Sequence, residues 1–198
     1  MENKTELMYQ IKNEVMGLKQ SPLYQLRIEN KVFPVIGEGS HKAKIILIGE
    51  APGKNEAATG KPFCGASGRV LNEMIAHIGL RREDIYITNL VKDRPPDNRD
   101  PLPEEIALYA PFLDRQIEII QPKVIATLGR FSMAYIMQKF GMANELKTIS
   151  QIHGKAFKVK ASYDNINIIP LYHPAVALYQ NSLKTQLFKD FEVIKVFI

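Results

Sequence analysis

The sequence predicts an α/β fold, a three-layer α/β/α sandwich around a central four-stranded parallel sheet, in a single domain spanning 1–198. Three observations carry this. Four short aliphatic runs, Lys44 to Ile48, Ile85 to Val91, Lys123 to Leu128 and Ile166 to Leu171, have the length and composition of strands buried on both faces. Helical patterns lie between them, and strands alternating with helices imply right-handed crossovers and a parallel sheet. The length of 198 residues suits one domain with a substantial core.

Taken in order, Thr5 to Lys19 places Leu7, Met8, Ile11, Val15 and Leu18 at helical spacing, and Gly17 with Pro22 marks its end. Arg27 to Ser40 is polar and turn-rich, with a short edge segment at Val32 to Ile36. After the first strand, Gly49 to Gly68 is irregular, and a helix runs from Gly68 to Leu80, where Gly79 stops it. The second strand leads into VKDRPPDNRDPLPEE, whose four prolines exclude helix and central strand and make it an exposed loop. Pro103 then opens a helix to Ile120. A further helix, Phe131 to Phe140, follows the third strand. Ile149 to Val159 reads as a polar hairpin edge bending near His153 and Gly154. A last helix covers Ala175 to Val196.

Composition narrows the function classes. A net charge of +5 and a pI near 9.2 are compatible with a polyanionic partner. The one cysteine, Cys64, excludes a disulfide framework or a multi-cysteine metal site within one chain. No apolar run approaches the roughly twenty residues that span a bilayer. Met1 to Gln20 is charged and amphipathic, unlike a signal peptide, so the expectation is a soluble, cytoplasmic protein.

The stretch GEAPGKNEAATGKPFCGASG, Gly49 to Gly68, lies at the carboxyl end of the first strand, where open α/β sheets bind ligands. It is not a P-loop: Gly49 and Gly53 are too closely spaced, and Lys54 is followed by Asn55. No GxGxxG spacing occurs either. What remains is a carboxylate at the strand tip, Glu50, and an isolated aromatic, Phe63, which is either a core anchor or a stacking face. Asn89 near the end of the second strand needs backbone partners or a ligand, because an unpaired buried amide costs about 1–3 kcal/mol. In a parallel sheet Glu50, Asn89, Gly129 and His173 all fall at one edge. A carboxylate, an amide, a histidine and an exposed aromatic at one edge point to a site.

At these residues the chain resembles the uracil-DNA glycosylase superfamily, specifically its family four. GEAPG and GKPFCGASG resemble that family's first motif, TNLVKDRPPDNRDP its second, RQIEIIQPKVIATLG the approach to its third strand, and HPAVAL its last. The resemblance implies a DNA repair enzyme that flips uracil out of single- or double-stranded DNA and hydrolyses its glycosidic bond. Extrusion of the base is what chemistry on a stacked nucleotide requires. Glu50 and His173 are the implied catalytic pair, the first directing water, the second donating toward uracil O2. Ala51, Glu56, Phe63 and Asn89 are the implied base-binding residues: Phe63 stacks, Asn89 reads the Watson–Crick edge, Glu56 closes the side that a thymine methyl would need. Pro52, Arg94, Arg99, Arg130, Leu178 and Tyr179 are candidate DNA contacts.

The same resemblance implies an iron–sulfur cluster on four cysteines. The aligned positions hold Leu18, Ser21, Asp93 and Tyr109, so the expectation is a protein without cluster or metal, with Leu18 and Tyr109 packing and Asp93 meeting Arg94 or a lysine instead. A monomer is expected. Two other readings stay open: a module that binds uracil-containing or single-stranded DNA without turnover, and a glycosylase for another deaminated base.

Overall fold

A computed structural model describes residues 3–197. The four expected strands pair in parallel as the middle of a six-stranded sheet, extended by an antiparallel strand at each edge. The elements run α1 (Lys4–Met16), α2 (Pro22–Glu29), β1 (Glu38–Gly39), β2 (Ile45–Gly49), α3 (Lys54–Thr59), α4 (Ala66–His77), β3 (Tyr86–Asn89), α5 (Pro103–Ile120), β4 (Val124–Leu128), α6 (Arg130–Lys139), α7 (Ile149–Ile152), β5 (Phe157–Lys160), β6 (Asn165–Leu171), α8 (Val176–Tyr179) and α9 (Asn181–Glu192). Their order across the sheet is β1-β3-β2-β4-β6-β5.

The strands are uninterrupted apolar runs because both faces are covered. Along β2, Ile46 and Ile48 enter one core with Met8 and Val15 of α1, Leu113 and Ile117 of α5 and Ile136 of α6. Ile45 and Leu47 enter the other with Leu71 and Met74 of α4 and Leu187 and Phe191 of α9. Alternate residues point to opposite faces, so one five-residue strand serves two helical layers. Each fully buried aliphatic side chain contributes about 1.5–3 kcal/mol.

Register sets the position of the site. Gly49 lies opposite Asn89, and Leu128 opposite Leu171, so the central strands end together. The chain then leaves each tip as a loop, with backbone bonds from Leu90 to the Gly49 carbonyl (3.0 Å) and from Gly129 to the Leu171 carbonyl (2.9 Å) holding the tips level.

Several local expectations change. Ser21 caps an unexpected helix, α2, by accepting from the Leu23 N–H, with Pro22 at its first position. The Gly49–Gly68 segment contains the short helix α3, ended by Gly60 at φ 72°. Ile149–Ile152 is a helical turn rather than half of a hairpin, and the edge hairpin pairs β5 with β6. The last helix breaks at Gln180, whose backbone is extended, giving α8 and α9. Within the proline-rich loop, Pro96–Asn98 forms a tight turn in which Asp97 and Asn98 take left-handed conformations. Among the described residues no helix is long and apolar enough to cross a membrane.

Candidate active site

A cavity of about 380 Å³ opens at the carboxyl edge of the sheet, and Glu50, Ala51, Glu56, Phe63, Asn89 and His173 all line it. These six residues come from the ends of β2, β3 and β6 and from the α3–α4 segment. The volume suits one small ligand.

Gly49 and Gly68 make the pocket possible. A Cβ at Gly49 would collide with Asn89 Oδ1 and approach Phe63 Cζ to 2.7 Å, so only glycine lets these side chains meet over the tip of β2. A Cβ at Gly68 would strike the Phe63 carbonyl. Phe63 itself is held at φ 47°, a left-handed conformation that costs a non-glycine residue on the order of 1–3 kcal/mol. Such strain persists only where the surroundings impose it. Phe63 is 6% exposed, not the exposed aromatic expected: its ring belongs to the core and is also a pocket wall. It lies 5.6 Å from the His173 ring, the planes 31° apart.

His173 has a defined tautomer. Its Nδ1 accepts from the Ala175 N–H at 3.2 Å, so the ring proton of the neutral imidazole sits on Nε2. Burial pushes its pKa down to about 4, against the opposing pull of Glu56, so the ring is neutral at neutral pH. Glu50 is shifted the other way. Burial, reinforced by the Asp100 charge and opposed by Arg130, pushes its pKa up to about 7.

Glu56 is nearly buried, its Oε1 accepting from the backbone N–H groups of Cys64 and Gly65, both at 3.1 Å. That carboxylate is therefore a fixed wall. Asn89 is 2% exposed, and its side-chain amide makes no hydrogen bond among the described residues, which leaves its donor and acceptor for a ligand. Lys92, which the sequence did not single out, fixes the strand end that presents it. The fully buried Lys92 Nζ donates to the Asn89 carbonyl (2.7 Å), Thr88 Oγ1 (2.8 Å) and Gln116 Oε1 (2.7 Å). Asn98 also lines the cavity, from a loop that sequence reads only as polar and proline-rich.

The six candidate DNA contacts differ in availability. Pro52 is buried beside the pocket, while Leu178 (46%) and Tyr179 (86%) stand exposed on α8, just beyond His173. Arg94 is half-buried, its Nε donating to Asn98 Oδ1 at 2.7 Å. Arg99 is bound at both guanidinium ends by the buried Glu105, at 2.9 and 2.6 Å. Arg130 pairs with Asp100, both exposed. Cys64 is exposed, and no group of three or more His, Cys, Asp or Glu side chains is placed to hold a metal ion among the described residues.

Residues 36–192 match the Uracil DNA glycosylase superfamily. The chain is 47% identical over 186 residues to a type-4 uracil-DNA glycosylase of Sulfurisphaera tokodaii, covering 93% of this chain and 82% of the relative. It is 44% identical to the type-4 enzyme of Archaeoglobus fulgidus (93% and 89%). It is 36% identical to that of Thermotoga maritima (100% and 98%). With the family model covering most of the chain and the sheet consistent with that fold, the chain belongs to the uracil-DNA glycosylase superfamily.

Proposed function

We propose that the protein is a monofunctional uracil-DNA glycosylase that hydrolyses the bond between uracil and deoxyribose in DNA, leaving an abasic site. The observation that carries this is the convergence of Glu50, Phe63, Asn89 and His173, far apart in sequence, on one cavity of about 380 Å³. The type-4 uracil-DNA glycosylases that it resembles supply the substrate.

An extruded uracil stacks on Phe63, which recovers part of the stacking lost from the helix. The Asn89 amide presents one acceptor and two donors, enough for uracil N3–H and O4. As the bond breaks, charge builds on the departing base, and the neutral His173, with its proton on Nε2, donates toward O2. A neutral donor suits this role because the departing anion need not be protonated. Glu50 as a carboxylate orients the attacking water and faces the cationic sugar; the Ala51 N–H holds the base. Glu56 fills the side where a thymine methyl would sit.

Arg94 and Arg130 are proposed to meet the DNA backbone, with Leu178 or Tyr179 entering the gap left by the base; Pro52 is a weaker candidate, since it is buried and offers little surface to DNA. Arg130 is exposed and only needs to exchange one exposed carboxylate for a phosphate. Arg99 is the weaker candidate, since reaching DNA would strip the buried Glu105 of its partner. The test is incubation with a uracil-containing oligonucleotide followed by alkali. Cleavage at the uracil position is expected; binding without cleavage would point to a non-catalytic module, and cleavage only at another deaminated base would change the substrate.

A further inference from the structure

The four positions at which family resemblance implies cluster cysteines carry Leu18, Ser21, Asp93 and Tyr109. This donor set does not fit: iron–sulfur clusters are held by thiolates. Leu18 packs against the core, and the polar groups of the other three are already spent on one another and on a cation. That cation is Arg27, not Arg94 or a lysine as the sequence suggested. Arg27 Nη1 donates to both Asp93 oxygens, at 3.0 and 2.8 Å, with each side chain at most 3% exposed.

The remaining bonds close the cluster. The Tyr109 hydroxyl is 2.6 Å from Asp93 Oδ2 and 2.9 Å from Ser21 Oγ. Having one proton, it donates to the carboxylate and accepts from Ser21, whose oxygen also caps α2. Arg27 further donates to the Val15 (3.2 Å) and Met16 (2.6 Å) carbonyls at the end of α1. A buried ion pair offsets its desolvation only when geometry is good and its other polar atoms are satisfied, and this one meets both conditions. It joins α1, α2, α5 and the loop after β3, segments up to 88 residues apart.

We infer that Ser21, Arg27, Asp93 and Tyr109 form a positioning cluster, in place of an iron–sulfur cluster, that fixes the 92–99 loop against the body of the protein and sets its grip on DNA. The loop needs fixing. Asp97 and Asn98 both sit at φ 54°, a strained pair for which an unanchored loop would have better conformations. Asn98 lines the pocket and Arg94 bonds to it, so displacement of the loop displaces both. Asp93 anchors the loop at its start, and the Arg99–Glu105 pair at its end.

The test compares two tyrosine hydroxyls. Tyr109→Phe removes the bonds to Asp93 and Ser21 while keeping the ring. Tyr163→Phe removes a comparable bond, to the Pro122 carbonyl (3.2 Å), at the β5–β6 hairpin. In Tyr109→Phe, hydrogen exchange of the non-proline amides of 92–99 is expected to quicken about tenfold, as loss of the two hydroxyl bonds predicts. KM for a uracil-containing oligonucleotide should rise roughly fivefold, with kcat within about twofold of wild type, as loss of uniform binding predicts. Tyr163→Phe should change neither. Loop exchange no faster than in Tyr163→Phe would overturn the inference, and faster exchange with unchanged KM would overturn its positioning half.

The KM effect rests on the proposed excision activity, whereas exchange does not, so a wild type without turnover would fail that reading and leave the clamp to be judged by exchange. Wild-type protein incubated anaerobically with ferrous iron and sulfide, then desalted, should remain colourless with unchanged Tm. A retained visible absorption band would overturn the replacement of the cluster.

Discussion

Two carboxylates close to the same loop system, Asp93 buried and Glu50 half-buried at the cavity, have opposite surroundings. Asp93 receives donors from Arg27 and Tyr109, and its neighbours are satisfied in turn. Glu50 makes no side-chain hydrogen bond among the described residues, and burial pushes its pKa up to about 7. Asn89 repeats the contrast, buried with a free amide above a backbone carbonyl that Lys92 holds. Protein interiors rarely leave buried polar groups unpaired. Where polar groups are satisfied the region is structural, and where they are left open toward the cavity they are available to the proposed substrate.

Replacing the open groups should therefore damage rate and spare stability. Asn89→Ala and His173→Ala are each expected to lower kcat by about 10²–10³-fold, the usual loss on removing a group that stabilises developing charge or position. Tm should change little in Asn89→Ala, which gives up no side-chain bond to protein, and fall by a few degrees in His173→Ala, which gives up the bond from the Ala175 N–H and its packing beside Phe63. Single-turnover assays and thermal melts on the same samples separate the two effects. A wild-type rate in either variant, or a collapse of Tm with the rate, would break the comparison.

The closed group should behave in reverse. Asp93→Ala leaves the Arg27 charge buried without its carboxylate, a change that costs about 3–5 kcal/mol. In a chain of this size that lowers Tm by roughly 10 °C. Single-turnover chemistry well below the melt should stay within about threefold of wild type at saturating DNA. Glu56 sharpens the boundary, since its carboxylate faces the pocket yet is held by two backbone N–H groups. Glu56→Ala should let thymine enter, with thymine excision appearing on a mismatched duplex. A methyl is worth only about 1–3 kcal/mol in a binding pocket, so discrimination should fall toward 10–200-fold. No thymine product would remove Glu56 from that role.

The sheet was legible because double-sided burial leaves a strong trace: KIILI, IYITNLV, KVIATL and INIIPL contain few or no polar residues, and helices have to cover such runs. The edge strands were not, since Glu38–Gly39 is two residues long and Phe157–Lys160 alternates half-buried with exposed positions. α3 was hidden by the glycines that bracket it. The pocket set could be read from the strand tips, because register alone puts Glu50, Asn89 and His173 at one edge. Two things could not be read. One was the state of Phe63, whose burial depends on Gly49 and Gly68 giving its ring and backbone room. The other was the choice of Arg27 for Asp93, a contact spanning 66 residues between groups with nearer candidate partners in sequence.

Glu50 gives the comparison its smallest but most specific test, because one group should move rate and stability in opposite directions. With the carboxylate as the working form, kcat/KM should rise with pH through about 7 and level off above it. His173, neutral above about 4, adds no limb in that range. For stability the direction reverses. The pKa of Glu50 rises from 4.5 to about 7 on folding, so its protonated form is favoured in the native state. Its contribution is complete below 4.5 and is lost as pH climbs through 7. Glu50→Gln removes that loss. The variant should turn over about 10²-fold more slowly and show no limb near 7, yet melt roughly 2–4 °C higher than wild type above that pH. The difference should vanish below 4.5. A Glu50→Gln protein less stable than wild type at alkaline pH would mean that the carboxylate has a partner in the folded protein, and the contrast with Asp93 would then fail.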